Sequence, residues 1–105
     1  MNELDTIKFN YRQANNLTQT VRQAAQDLRR LSNVQMQENM AFITQSWKGD
    51  NANNFLRKEA RVANNLLDLA RKLEQLADSI SASAKQMYDA EMKALEKAKS
   101  EESGK

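Results

Sequence analysis

The sequence lacks cysteine, histidine and proline, and it contains only two glycines, Gly49 and Gly104. The absence of cysteine excludes a disulfide and a thiolate metal site, and the absence of histidine excludes an imidazole base and a His-based zinc or iron site. We therefore expect a protein that is not an enzyme and holds no cofactor, because the remaining side chains offer no nucleophile–base constellation. The scarcity of proline and glycine leaves one obvious break inside the chain, at Gly49.

A strong charge of one sign is missing as well. Sixteen basic and fourteen acidic residues are interleaved, and the formal net charge is only +2, so we expect no nucleic-acid partner. The pair Arg29-Arg30 and the basic residues Arg57, Lys58 and Arg61 could contact phosphates, but their acidic neighbours favour the interpretation of solvated helix faces. A basic amphipathic helix on a membrane surface is disfavoured for the same reason.

Long apolar runs are absent too. No stretch approaches the ~18 consecutive apolar residues of a membrane span, so we expect no stable membrane insertion. The first residues, MNELDTIKFNYRQ, lack the basic start and the apolar core of a signal peptide. Export of this protein would therefore need a route without a cleaved leader.

Apolar residues recur at helical spacing on both sides of Gly49. The pattern predicts one helical-hairpin domain over residues 1–99, with a helix at about 5–47, a turn at 47–51 and an antiparallel helix at about 51–99. Residues 100–105 have the composition of a disordered tail. The apolar row of the first helix changes phase after Leu31, which indicates a change in supercoil or of partner near residues 32–35.

The second helix carries two adjacent apolar rows, which make a face wider than a two-helix contact needs. We assign the leucine-rich row, with one residue of the first helix, to the seam of the hairpin: Leu28, Leu66, Leu69, Leu73, Leu76 and Ile80. The other row is rich in alanine and lets a further helix approach closely, so we assign it to a partner: Leu56, Ala63, Leu67, Ala70, Ala77 and Ala84. On this assignment Ala70→Glu spares the hairpin and Leu73→Glu destroys it.

The turn carries the triplet Trp47-Lys48-Gly49. Gly49 can adopt the left-handed conformation that ends a helix, and Trp47 is large enough to close the end of the hairpin. A Trp-x-Gly triplet alone is common. Because it lies at the midpoint of a helical chain of 105 residues without proline or cysteine, the sequence resembles the WXG-motif family, the small early-secreted-antigen-like proteins of type VII secretion.

The resemblance implies a four-helix bundle, formed with a second copy or with another small helical protein. It also implies a cytoplasmic protein that is secreted folded by a leaderless route. Its role would be that of a secreted dimer, or of a targeting chaperone that adapts a larger effector, such as a toxin with a helical N-terminal domain, to the secretion machinery. A cytoplasmic helical scaffold or regulatory module unrelated to secretion is the alternative.

The resemblance also implies that one partner of the bundle carries a C-terminal export signal of the form Tyr-x-x-x-Asp/Glu. Here Tyr88 is followed by Met92 at the fourth position, and Glu91 lies at the third. Residues three and four apart share a helix face, so Tyr88 with Glu91 is a candidate export signal of similar surface. Tyr88 also continues the second apolar row, and packing is an equal explanation for it.

Overall fold

The computed structural model describes residues 2–103, and these residues are almost entirely helical. The elements are α1 (Glu3–Arg30), a π-helical turn (Leu31–Gln35), α2 (Met36–Ser46) and α3 (Asp50–Ser103), with no strand among the described residues. The prediction of an all-α chain with two long helical arms is confirmed. None of the helices described is both long and apolar enough to cross a membrane.

The helix ends lie further out than the sequence predicted. Asn2 caps α1, since its side-chain oxygen accepts a hydrogen bond from the Asp5 N–H at 2.8 Å. At the other end α3 continues to Ser103, so the prediction of a disordered tail is wrong for residues 100–103. Good helix formers fill this segment, and Lys97 lies 4.0 Å from Glu101 one turn later. Gly104 and Lys105 lie outside the described residues.

The turn between the arms consists of residues 47–49. Trp47 ends α2 with extended backbone (φ −138°, ψ 125°), and its N–H still donates to the Ile43 carbonyl at 2.8 Å. Gly49 has φ +110° and its carbonyl accepts from the Asn53 N–H at 3.0 Å, which opens α3. The glycine therefore begins the second helix instead of ending the first, and its positive φ explains why a glycine stands there.

The phase change of the first arm has a local cause. The Met36 N–H bonds to the Leu31 carbonyl, five residues back, where an α-helix would connect residues four apart. This π turn inserts one extra residue, so that Ser32 and Met36 are both buried. The predicted irregularity near residues 32–35 is confirmed, and its origin is an inserted residue.

The chain divides into two compact units. Unit 1 consists of residues 2–20 and 76–103, and unit 2 is Val21–Gln75. In unit 2 the arms run antiparallel, because Arg29 pairs with Glu74 whereas Ser32, closer to the turn, bonds to Ala63. Unit 2 is thus a helical hairpin in itself. The single domain predicted over residues 1–99 stays a prediction.

Small side chains form the core of both units. Unit 2 buries Ala25, Ser32, Met36, Ala52, Ala63 and Ala70, and unit 1 buries Ile7, Thr18, Ala77 and Ala84. The Ser32 hydroxyl donates to the Ala63 carbonyl at 2.7 Å. A serine side chain is short, so this bond requires the two backbones to lie close together. Close approach of this kind is possible only where the facing residues are small.

This packing contradicts the assignment of the alanines to a partner and of Leu69 and Leu76 to the hairpin seam. The alanines at 63, 70, 77 and 84 that were assigned to a partner are buried inside the units. Leu69 and Leu76, assigned to the hairpin seam, are 46% and 49% exposed. The other members of the two rows are half-buried at the borders of the seam: Leu28, Leu66, Leu73, Ile80, Leu56 and Leu67. Close contact between the helices displaces the large leucines to the flank.

Candidate partner-binding face

Unit 2 exposes a group of large aliphatic side chains, which we call the outer leucine face. Its exposed members are Leu31, Val62 and Leu69, between 37% and 46% exposed. Half-buried leucines border it towards the seam: Leu28, Leu66 and Leu73. Single exposed leucines are normal on a protein surface, but a group of this size on one hairpin is typical of an interface.

The ion pair between Arg29 and Glu74 lies on the opposite side of the hairpin. Consecutive residues of a helix are about 100° apart around its axis, so Leu31 lies about 160° from Arg29. By the same measure Leu69 lies about 140° from Glu74 on α3. Since Arg29 and Glu74 meet on one flank of the seam, the outer leucine face occupies the other flank on both arms.

The charged flank is held by a two-point contact. Arg29 Nε donates to one Glu74 carboxylate oxygen at 3.2 Å, and an Arg29 terminal nitrogen donates to the other oxygen. The hydrogen bond and the charge of Glu74 raise the pKa of Arg29 further above its usual value. The paired geometry of the two hydrogen bonds favours the register in which Arg29 faces Glu74. Arg29 thus pairs with Glu74 and stays partly exposed to solvent, at 38% of its side chain.

Trp47 lies at the turn end of unit 2. Its ring packs on that of Phe55 with the ring centres 6.0 Å apart and the planes tilted by 48°. Each of the two rings is partly exposed, and Phe42 of α2 is the most exposed large apolar side chain of the described residues, at 68%. The Trp47 ring thus contacts α3 through Phe55 and leaves much of its surface accessible, and closure of the hairpin end by Trp47 stays a prediction.

Tyr88 and Glu91, the candidate export signal, lie together in unit 1. Both are half-buried and line one cavity of about 130 Å³ with Ile7 and Asn10. The Tyr88 ring stacks on Tyr11, with ring centres 4.6 Å apart and planes at 29°. Packing thus occupies one face of the tyrosine. The role of the pair in export stays a prediction.

Unit 1 also exposes large apolar side chains, namely those of Phe9, Leu17, Leu76 and Met87. Ile80 and Met87 line a second, open cleft with Ala14 and Ala84. Leu31 and Val62 were not among the predicted partner residues. Each lies one position before a small buried residue, Ser32 and Ala63, but the sequence alone did not show that these small residues form the seam.

No protein-family model, no curated protein and no solved structure matches the chain at a significant level. The likeness to the WXG-motif family therefore rests on the residues of this chain alone, above all on Trp47-Lys48-Gly49 at the turn.

Proposed function

We propose that this protein binds the helices of another chain through the outer leucine face. The observation that carries the proposal is the exposure of Leu31, Val62 and Leu69 on the flank opposite Arg29 and Glu74. Complete burial of such a side chain stabilises a protein or complex by ~1.5–3 kcal/mol. Burying the part that is still exposed would add roughly half of that free energy to binding for each residue. A pair of helices laid on this face would complete a four-helix bundle.

Within this proposal the protein is a small WXG-type component of a type VII secretion system. Trp47 and Gly49 at the turn between two long helical arms support the assignment. The partner is a second copy, another small helical protein, or the helical N-terminal domain of a larger effector such as a toxin. The protein then acts as a secreted dimer or as the targeting adaptor of that effector.

Export from the producing cells tests the proposal. Tagged protein is followed in culture supernatant and in pull-downs, for the wild type, Trp47→Ala and Leu69→Glu. We expect the wild type in the supernatant, alone or with its partner, and both variants to remain in the cells. Leu69→Glu places a charge on the face that has to be desolvated, and it should lose the partner as well.

Gln75→Glu is the matched control, because it makes the same change of charge at an exposed position outside the outer leucine face. This control should bind the partner and reach the supernatant like the wild type. A wild-type protein that never leaves the cell would instead support the alternative, a cytoplasmic helical scaffold or regulatory module.

A further inference from the structure

The seam of unit 1 changes in composition towards the free ends of the arms. Thr18, Ala77 and Ala84 are small and buried. One repeat of seven residues nearer the free ends, the first arm has Tyr11 and α3 has Glu91. Because the distance between packed helices depends on the side chains between them, these larger residues keep the arms further apart. A cavity of about 130 Å³ lies at this level.

The cavity is lined by both arms and is mostly apolar. Ile7, Ala14 and Ala84 form one part of its wall. Tyr11 and Tyr88 form another part with their stacked rings, whose centres are 4.6 Å apart. An apolar cavity of ~150 Å³ can hold benzene, so a group of roughly five or six heavy atoms fits here.

Glu91 brings a carboxylate to this apolar cavity. It is half-buried and forms no ion pair with a basic residue in the part of the chain that the structure describes. Its neighbours three and four positions away on α3 are not basic either, since these are Met87, Tyr88, Ala94 and Leu95. A carboxylate that is partly withdrawn from water is stabilised by an opposite charge, and no described residue supplies one within ion-pair distance.

Unit 2 shows which cation such a carboxylate accepts. Glu74 is half-buried as well, and the guanidinium group of Arg29 donates one hydrogen bond to each of its two oxygens. The same chemistry at Glu91 needs a guanidinium group from outside the described chain.

The cavity can be reached from the free ends of the arms. An open cleft of about 410 Å³ adjoins it, since Ile7 and Glu91 line both. Leu95 and Ala98 line the cleft on α3, and Glu3 adds a second carboxylate on the first arm. A cation entering through the cleft is therefore attracted by negative charge along its way.

We infer that this cavity binds a guanidinium group. The flat cation can donate paired hydrogen bonds to the Glu91 carboxylate and contact a tyrosine ring, while its alkyl stem packs on Ile7 and Ala84. The group belongs to a free small molecule or to an arginine side chain of a partner, and the recognising chemistry is the same for both. No residue of the outer leucine face takes part, so binding here depends neither on that face nor on export.

Tyr11 and Tyr88 are the only tyrosines of the chain, so their ring resonances in NMR spectra report on this cavity alone. The full-length protein, isotope-labelled at tyrosine, is titrated with ethylguanidinium chloride. We expect both rings to shift in a saturable manner, beyond the effect of sodium chloride at the same ionic strength. Ethylurea has a similar shape without the charge and should bind at least about 10-fold more weakly.

Glu91→Gln should weaken ethylguanidinium binding by about 10-fold or more, because the amide keeps the size of the side chain and loses its charge. Glu96→Gln is the matched control, since Glu96 is exposed and lies about 140° from Glu91 around α3. The control should bind like the wild type, and circular dichroism should show unchanged helix content for both variants.

A helical peptide distinguishes the two sources of the cation. An alanine-rich peptide with one central arginine is compared with ethylguanidinium and with the same peptide carrying citrulline. Tighter binding of the arginine peptide than of ethylguanidinium identifies a partner's arginine as the source. Tighter binding of ethylguanidinium than of the peptide identifies a free small molecule.

Three results would overturn the guanidinium site. The first is a pair of tyrosine rings that ethylguanidinium leaves unshifted. The second is equal affinity for ethylguanidinium and ethylurea. The third is wild-type affinity of the Glu91→Gln variant for ethylguanidinium.

Discussion

At the scale of single residues, the turn depends on the backbone of Gly49. Its φ of +110° is costly for a residue with a side chain, whereas a Cβ added at this position would meet no atom within 4 Å. The requirement for glycine is therefore conformational and not steric. Trp47, two positions earlier, contributes differently, through ring contact with Phe55.

Gly49→Ala should destabilise the protein by about 1–2 kcal/mol, because a positive φ is strained for alanine and its methyl group would make no new contact. Gly49→Asn should cost less, since asparagine tolerates positive φ better than alanine. Urea denaturation followed by circular dichroism measures both. Equal midpoints for alanine, asparagine and wild type would show that the turn relaxes to another conformation.

At the scale of the elements, the π turn connects two segments of the first arm whose buried positions are out of phase with each other. The burial pattern passes through Ala25, Leu28 and Ser32 and then continues at Met36 and Ile43. Met36 and Ile43 each lie one residue further along the chain than a spacing of seven from Leu28 would place them. The π turn at Leu31–Gln35 accommodates this extra residue. The bond from Ser32 to the Ala63 carbonyl holds this turn against α3.

Deletion of Asn33, an exposed residue of the π turn, should therefore be tolerated. The deletion allows one regular α-helix in which Met36 and Ile43 keep their inward positions, so we expect stability within about 1 kcal/mol of the wild type. Deletion of Gln26, equally exposed but inside regular α1, rotates Leu28 and Ser32 out of the seam. That variant should lose about 2 kcal/mol or more. Thermal unfolding compares the two, and the opposite order of stability would refute this account of the turn.

At the scale of the whole molecule, the residues that pack the arms together and those that we propose for partner binding lie on different rows of α3. The alanines at 63, 70, 77 and 84 are buried, whereas the neighbouring leucine row is half-buried at Leu66 and Leu73 and exposed at Leu69 and Leu76. Ala70 is 0% exposed and Leu69 is 46% exposed. A charge is expensive where it is buried without a partner and cheap where water reaches it.

Ala70→Glu should unfold the hairpin of unit 2, whereas Leu69→Glu should keep its helix content and lie within about 1 kcal/mol of the wild type. Circular dichroism of the purified variants distinguishes them. This result would reverse the expectation drawn from the sequence, in which Ala70→Glu spared the hairpin. A folded Ala70→Glu variant would restore that expectation and place the alanine row outside.

The helical character of the chain, the position of its turn and the irregularity of the first arm could all be predicted from the sequence alone. Local signals suffice for these features: helical spacing, the near absence of proline and glycine, Gly49, and a phase change after Leu31. The two rows of α3 share the same spacing of seven residues, so periodicity could not tell which one faces the other arm. The choice between the rows depends on the distance between the packed helices, because the close approach shown by Ser32 and Ala63 leaves room for alanine in the seam and places Leu69 outside it.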